Sequence, residues 1–106
     1  MPAFDTAITP TAVTPANTNN ATLFTAVADT SILVDVANIG TTTIAVRVGI
    51  TPSGGSVHWK VYDLAIPANE AALSLGPWFL ANGDAVTVRT NTANNAVFSV
   101  TGVRST

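Results

Sequence analysis

His58 is the only histidine of the chain and therefore the first candidate for acid–base or metal chemistry. An imidazole that acts as a general base needs a partner that orients it and a nearby nucleophile or water. If residues 57–62 form a strand, the neighbours of His58 on its own face are Lys60 and Tyr62, and neither supplies those groups. The chain has no cysteine, so nothing can complete a zinc site. We interpret His58 as a surface residue of a strand.

Paired carboxylates are the second possible source of chemistry, since glycosidases use two of them at a set separation on facing elements. The six acidic residues are spread along the chain, and only the fold could bring together pairs such as Asp63 with Glu70, or Asp35 with Asp84. Residues 82–84, Asn-Gly-Asp, offer oxygens to calcium but are also a common turn sequence. There is no serine nucleophile elbow and no phosphate-binding glycine loop. The sequence therefore predicts a protein that is not an enzyme and has no metal or cofactor.

Aromatic side chains remain, because exposed rings can bind sugars, bases or partner proteins. Trp59 alternates with two valines, which favours a place in the core. Trp78 follows a Gly-Pro pair and precedes Phe79, so it either closes one end of the fold or anchors a partner. An exposed Trp78 or Tyr62 would instead suit a carbohydrate-binding surface.

Charge is scarce, at 9% of residues against roughly 25% in a typical soluble domain. Binding to nucleic acid or to an anionic membrane requires clustered basic residues, but the two closest in sequence, Arg47 and Lys60, are 13 positions apart. The sequence predicts neither partner, and it shows no signal peptide and no apolar run of the roughly 20 residues that cross a bilayer. Since 47% of residues are hydrophobic, we expect apolar surface to be covered by another chain in a homo-oligomer.

Alternation of apolar and polar residues with a period of two dominates the chain from residue 22 onward. The clearest example is residues 43–50, where Ile44, Val46, Val48 and Ile50 share one face. The pattern predicts strands over residues 22–27, 31–37, 43–50, 57–62, 71–75, 85–90 and 96–101. Short strands separated by turns, without an amphipathic helix, indicate an all-β antiparallel sandwich, jelly-roll-like, with about seven or eight strands. We expect residues 21–106 to form this single domain.

Turn-forming residues join these strands. Residues 38–42 predict a hairpin turn with Gly40 at a positive φ, which would place Asp35 and Arg47 on one outer face as a weak ion pair. Residues 52–55 and 91–95 also predict turns.

Residues 1–20 form an extended Thr/Pro-rich arm in this interpretation, because Pro2, Pro10 and Pro15 fix φ and remove ladder donors. Such a segment is either an edge strand or a flexible arm that reaches a neighbouring subunit.

Three further segments together form one pattern of turns and strands: residues 66–73 (IPANEAAL), 78–88 (WFLANGDAVTV) and 97–103 (VFSVTGV). A Pro/Ala-Asn-Glu turn enters a strand, an aromatic-Leu-x-x-Gly-Asp turn leads into an alternating strand, and the closing strand ends near a glycine. In this pattern of turns and strands the chain resembles the small β-sandwich structural proteins of tailed-phage virions. The likeness covers roughly residues 30–104 and brings no catalytic residue.

The resemblance implies a virion accessory protein, assembled in the host cytoplasm and located on the capsid exterior as a decoration (cement) protein. Alternatives are a tail, neck or fibre component, or a carbohydrate- or cell-surface-binding module. The implied partners are the major capsid protein and further copies of the chain, with a trimer favoured over a dimer. We expect partner contacts from two groups of residues: Pro2, Phe4, Pro10 and Pro15 in the arm, and Trp78 and Phe79 as an apolar anchor.

Overall fold

Alternating apolar residues build two antiparallel sheets that pack face to face. In the computed structural model, which describes residues 4–69 and 73–105, these ranges form nine strands. The strands are β1 (Phe4–Ala7), β2 (Thr11–Val13), β3 (Ala21–Thr25), β4 (Thr30–Asn38), β5 (Ile44–Thr51), β6 (His58–Ile66), β7 (Leu73–Leu80), β8 (Ala85–Thr90) and β9 (Ala96–Ser105). The predicted all-β antiparallel sandwich is confirmed. The described ranges contain no helix long and apolar enough to span a bilayer.

Sheet A has the order β1-β9-β4-β7, with β2 pairing β9 beside β1, and sheet B has the order β3-β8-β5-β6. Within the described ranges, β5 and β6 are the one pair of consecutive strands joined as a hairpin. Its turn, residues 52–55, was predicted, and the amide of Gly55 donates to the carbonyl of Pro52 at 2.9 Å. From β2 onward, the other connections cross between the sheets.

The core lies between the inner faces of the two sheets. Its fully buried side chains occupy alternate positions of the central strands, among them Val34, Val36, Val46, Val48, Val86, Val88, Phe98 and Val100. Each buried aliphatic side chain of this kind stabilises the fold by about 1.5–3 kcal/mol. The alternation read from the sequence therefore identifies the inner face of these strands correctly.

Residues 38–42 do not form the predicted hairpin turn. They carry the chain from β4 in sheet A to β5 in sheet B, so Asp35 and Arg47 lie on opposite outer faces and the predicted ion pair between them is wrong. Asp35 instead accepts a hydrogen bond from the hydroxyl of Ser74, and Arg47 pairs with Asp63. The alternation of apolar and polar residues predicts which side chains point inward, but it does not predict which strands pair with each other.

Asn38 holds this crossover in place. Its side chain is 1% exposed, and its Nδ2 lies 2.8 Å from the carbonyl oxygen of Thr42, 3.0 Å from that of Ile66 and 3.1 Å from that of Pro67. Its Oδ1 accepts from the amide of Gly40 at 2.9 Å. One buried amide thereby ties the end of β4 to the end of β6, and so joins the two sheets.

Gly40 does not take the positive φ that was predicted for it. A Cβ at this position would meet the end of the Asn95 side chain in the β8–β9 crossover, so that side chain would have to move if Gly40 were replaced.

The described part of the predicted arm forms edge strands of sheet A, one of the two interpretations that the sequence allowed. β1 pairs with residues 103–105 of β9, and β2 pairs with residues 98–100 of the same strand. The two are interrupted at Pro10, which has no amide hydrogen to donate to the ladder. These two short strands raise the strand count to nine, above the predicted seven or eight.

Candidate functional site

The outer face of sheet A carries exposed apolar side chains. We define the apolar patch as Phe4, Leu33, Phe79 and Val103, with exposed fractions of 38%, 40%, 60% and 39%. Phe79 and Val103 are both register partners of Ser31, so they flank β4 from either side. The rings of Phe4 and Phe79 are in contact, with centroids 5.9 Å apart. Two residues predicted as partner contacts, far apart in sequence, thus share one surface.

Trp78 and Phe79, predicted together as an apolar anchor, point to opposite sides of β7. Trp78 is the register partner of Ile32 and packs against the core as a partly buried side chain. Phe79 faces outward. Only Phe79 of this pair is therefore part of an exposed surface.

The predicted proline contacts have different surroundings. Pro10 is exposed in the interruption between β1 and β2, whereas Pro15 is buried. The carbonyl of Pro15 accepts from the amide of Asn94 at 2.8 Å, which fixes the segment after β2 against the β8–β9 crossover. Pro2 lies outside the described residues.

The outer face of sheet B is different, because it carries charged and aromatic groups around Arg47. The Nε of Arg47 donates to Asp63 Oδ1 at 2.7 Å, and its Nη2 donates to Asp63 Oδ2 at 3.3 Å. The guanidinium carbon lies 3.8 Å from the ring centroid of Tyr62 and 5.9 Å from that of Trp59. The two rings meet edge to face, with centroids 6.4 Å apart. Cation–π contact and ion pairing thus fix one guanidinium in one orientation.

Two register shifts in β6 create this arrangement. Tyr62 and Asp63 both fall opposite Arg47, between the paired positions of Val48 with Val61 and Val46 with Leu64. Asp63 has a φ of 54°, a left-handed conformation that Asp tolerates better than most residues. Such bulges re-aim side chains. Here they turn the tyrosine and the carboxylate toward the same arginine.

The prediction that Trp59 packs in the core is wrong for the same reason. The shift at Lys60 leaves Val61 facing inward opposite Val48 but places Trp59 opposite Gly49, on the outer face. A Cβ on Gly49 would lie 3.0 Å from Cε3 of Trp59 and 2.8 Å from the carbonyl oxygen of His58. The indole therefore lies over a position where a side chain would collide with it.

A second arginine lies directly across from the first. Arg89 on β8 is the register partner of Arg47 on β5. The two border a surface groove of about 280 Å³, which we call the arginine groove; its lining residues are Thr18, Ala45, Arg47, Asp63, Arg89, Thr90 and Asn91. No described residue forms a hydrogen bond or ion pair with the side chain of Arg89. Asp63 is the one acidic residue among those that line the groove, and it is hydrogen-bonded to Arg47.

The charges in the groove shift each other's protonation equilibria. The hydrogen bond from Arg47 is the main cause that lowers the pKa of Asp63, and Arg89 lowers it further through its charge. The same hydrogen bond raises the pKa of Arg47. The Asp63 carboxylate is therefore ionised at neutral pH, and the formal charges of two arginines and one aspartate leave the groove with a local excess of one positive charge.

No protein-family model matches the chain, and no curated protein matches it.

Sequence reasoning missed the arginine groove. Arg47 and Arg89 are 42 positions apart in sequence, and the wide spacing of basic residues along the chain predicts no cluster. Both lie at outward positions of alternating strands, which is the one signal that could have paired them. Their position opposite each other depends on β5 and β8 being neighbours, which the sequence pattern does not specify.

The described catalytic candidates have separate structural surroundings. His58 is exposed at the start of β6. The Oδ1 of Asp84 accepts from the amide of Ser53 at 3.2 Å and its Oδ2 from the amide of Ala81 at 3.0 Å, so this carboxylate serves the turn at residues 82–84. Glu70 lies outside the described residues. In residues 4–69 and 73–105, no three His, Cys, Asp or Glu side chains are placed to hold a metal ion.

Proposed function

We propose that the protein is a non-enzymatic structural protein of a tailed-phage virion, a capsid decoration protein that binds and stabilises the head lattice. The observation that carries this proposal is the apolar patch on the outer face of sheet A. Contiguous exposed apolar surface with aromatic side chains is typical of surfaces that bind other proteins. Phe79, with 60% of its area exposed and Phe4 packed beside it, is the best placed anchor.

The strand order supports the proposal. If β1 and β2 are counted as one interrupted edge strand, each sheet has four strand positions, and the connections cross between the sheets except at the β5–β6 hairpin. We propose that this is the eight-stranded jelly roll, an architecture that viral capsid and lectin domains use. A fold does not assign a function by itself, but this one agrees with the resemblance to virion proteins.

Decoration would stabilise a capsid through linkage and multivalency. A protein that binds the assembled lattice, and not the dissociated subunits, shifts the equilibrium toward the lattice. A trimer would bind three lattice positions at once, and each bound subunit raises the effective concentration of the others. The scarcity of charge in the chain keeps electrostatic repulsion between neighbouring copies small.

Cosedimentation with expanded heads tests the proposal. The heads are those of the phage whose genome encodes the chain under this proposal, and the test variant is Phe79→Ser. Its matched control is Tyr62→Ser, since Tyr62 is 61% exposed and Phe79 is 60% exposed, on opposite outer faces. We expect Phe79→Ser to weaken head binding at least about tenfold, or about 1.4 kcal/mol, and Tyr62→Ser to leave it unchanged.

Wild-type protein that does not sediment with heads would refute the decoration role. Binding to purified tails instead of heads would place the protein among tail, neck or fibre components. Equal binding by the two variants would refute the role of the apolar patch.

The outer face of sheet B favours a second candidate function, carbohydrate binding. Tyr62 is exposed beside Trp59, and aromatic side chains are common in small-molecule sites that also carry a few well-placed polar groups. Trp78, the other aromatic candidate for this role, packs against the core, so the aromatic contribution would come from Tyr62 and Trp59.

A further inference from the structure

We propose that the arginine groove binds a carboxylated sugar, such as a hexuronate unit of an acidic glycan. This inference rests on the second candidate function, carbohydrate binding, and adds the charge and the position of the ligand. It concerns the outer face of sheet B, so it does not depend on whether the apolar patch binds a capsid.

The two arginines place like charges side by side on neighbouring strands. Arg47 and Arg89 are directly opposite on neighbouring antiparallel strands, an arrangement in which like charges repel. Asp63 accepts hydrogen bonds from two nitrogens of Arg47. Its negative charge therefore compensates the charge of one guanidinium and leaves that of the other uncompensated. An anion placed between the strands would relieve the repulsion.

Arg89 supplies the free donors. Its guanidinium offers five N–H groups in a planar fork that matches a carboxylate, and no described residue hydrogen-bonds to it. It is also partly buried at the wall of the groove, where water screens charge less than on an open surface. A ligand carboxylate is the simplest partner with this geometry.

The rest of the lining indicates a sugar. The ring of Tyr62, stacked on Arg47 and 61% exposed, lies beside the groove and offers an apolar surface for the C–H face of a pyranose. Thr18 and Asn91 line the groove itself and offer hydroxyl and amide groups to ring hydroxyls. The volume of about 280 Å³ is near the lower end of ligand sites, which hold small ligands from about 300 Å³ upward. One sugar unit fits this description better than an extended polymer.

A nucleic acid is a poorer fit, although it is also anionic. Phosphate-backbone binding requires several clustered basic residues, and this groove has two arginines, one of which is already paired with Asp63.

An NMR titration of the full chain tests the inference. The probes are D-glucuronate and D-glucose, which differ in the carboxylate alone, and acetate, which is a carboxylate without the sugar. The signals followed are the Nε–H groups of Arg47 and Arg89. We expect glucuronate to bind at least tenfold more tightly than either glucose or acetate, with shifts confined to the groove.

Arg89→Gln is the test variant, and Lys60→Gln is its matched control because it removes the same charge from an exposed residue of β6. We expect Arg89→Gln to lose at least tenfold in glucuronate affinity while keeping the amide spectrum of a folded protein. Lys60→Gln should bind as wild type does.

Four results would overturn the inference. Equal binding of glucuronate and glucose would leave carbohydrate binding standing and refute the role of charge. Equal binding of glucuronate and acetate would show anion binding without recognition of a sugar. Equal weakening by Arg89→Gln and Lys60→Gln would refute a specific role of Arg89 in binding the carboxylate. No binding of any probe would refute both the inference and the second candidate function.

Discussion

The two outer faces of the sandwich differ in chemistry, although the strands behind them are built alike. β4 and β5 are both central strands with buried aliphatic residues at alternate positions. The outward residues of β4 include Leu33, part of the apolar patch, whereas those of β5 include Arg47, in the arginine groove. The inner face is constrained by packing, and the outer faces are free to acquire separate binding roles.

The edges of the sheets account for part of this difference. At one edge of sheet A, β1 continues the surface and places Phe4 against Phe79. At one edge of sheet B, β6 shifts register twice and turns Trp59, Tyr62 and Asp63 outward around Arg47. Both β1 and β6 contain register shifts, so the difference between the two edges lies in which residues face outward: Phe4 on β1, and Trp59, Tyr62 and Asp63 on β6.

The largest expected effect comes from Asn38, which supports both faces because it joins β4 to the end of β6. In Asn38→Asp, a carboxylate would face the carbonyl oxygens of Thr42 and Ile66, and the donated hydrogen bonds would be lost. We expect the free energy of unfolding to fall by about 3 kcal/mol, measured by urea denaturation. Asn20→Asp, at an exposed position, should change it little. Unaltered stability in Asn38→Asp would show that this amide does not join the sheets.

Gly49→Ala should affect the two faces unequally. The new Cβ would meet the carbonyl oxygen of His58 and the ring of Trp59, so we expect a loss of about 2 kcal/mol of stability, a change in tryptophan fluorescence and weaker glucuronate binding. Gly55→Ala is the control, because its nearest neighbour would be 3.4 Å away, on Pro52. If both substitutions have the same effect, Trp59 does not depend on Gly49 for its position.

Leu33→Asp should affect the other face alone, because it places a charge inside the apolar patch. We expect head binding to weaken at least about tenfold, or about 1.4 kcal/mol, with glucuronate binding unchanged. Val27→Asp is the control, since Val27 is 73% exposed but lies outside the patch. Cosedimentation checks the first effect and the NMR titration checks the second. Parallel changes in both would mean that the faces are not independent.

The smallest expected effect is on the pH dependence of stability, through the carboxyl group of Asp63. The pKa of this carboxyl is lowered in the folded protein, so its ion pair with Arg47 stabilises the fold above the ordinary value of 3.8 and ceases to do so as pH falls through the lowered pKa. Asp63→Asn and Arg47→Gln should each remove this part of the decline in melting temperature below pH 4. The carboxylate is 53% exposed, so the change is small. A decline identical to that of wild type in both variants would rule out a contribution from the pair.

The sequence predicts the fold class and the inner face well, because alternation follows from strand geometry whichever strands pair. The alternation by itself predicts that Val46 and Val48 point inward. It does not predict that residues 38–42 cross between sheets, nor that a bulge at Lys60 reverses the orientation of Trp59. Both depend on how distant segments pack.

The apolar patch and the arginine groove depend on the same tertiary information. Phe79 could be proposed as a contact from its aromatic character alone, but its neighbour Phe4 could not be paired with it. Arg47 and Arg89 come together because β5 and β8 pair, and no local pattern in the sequence contains that pairing.

A cryo-electron microscopy map of expanded heads saturated with the protein tests the central claim most directly. We predict density in which Phe4, Leu33 and Phe79 face the capsid lattice, while Tyr62 and Arg89 face solvent. A map in which the outer face of sheet B lies against the lattice, or in which the heads carry no ordered density for this protein, would contradict the account.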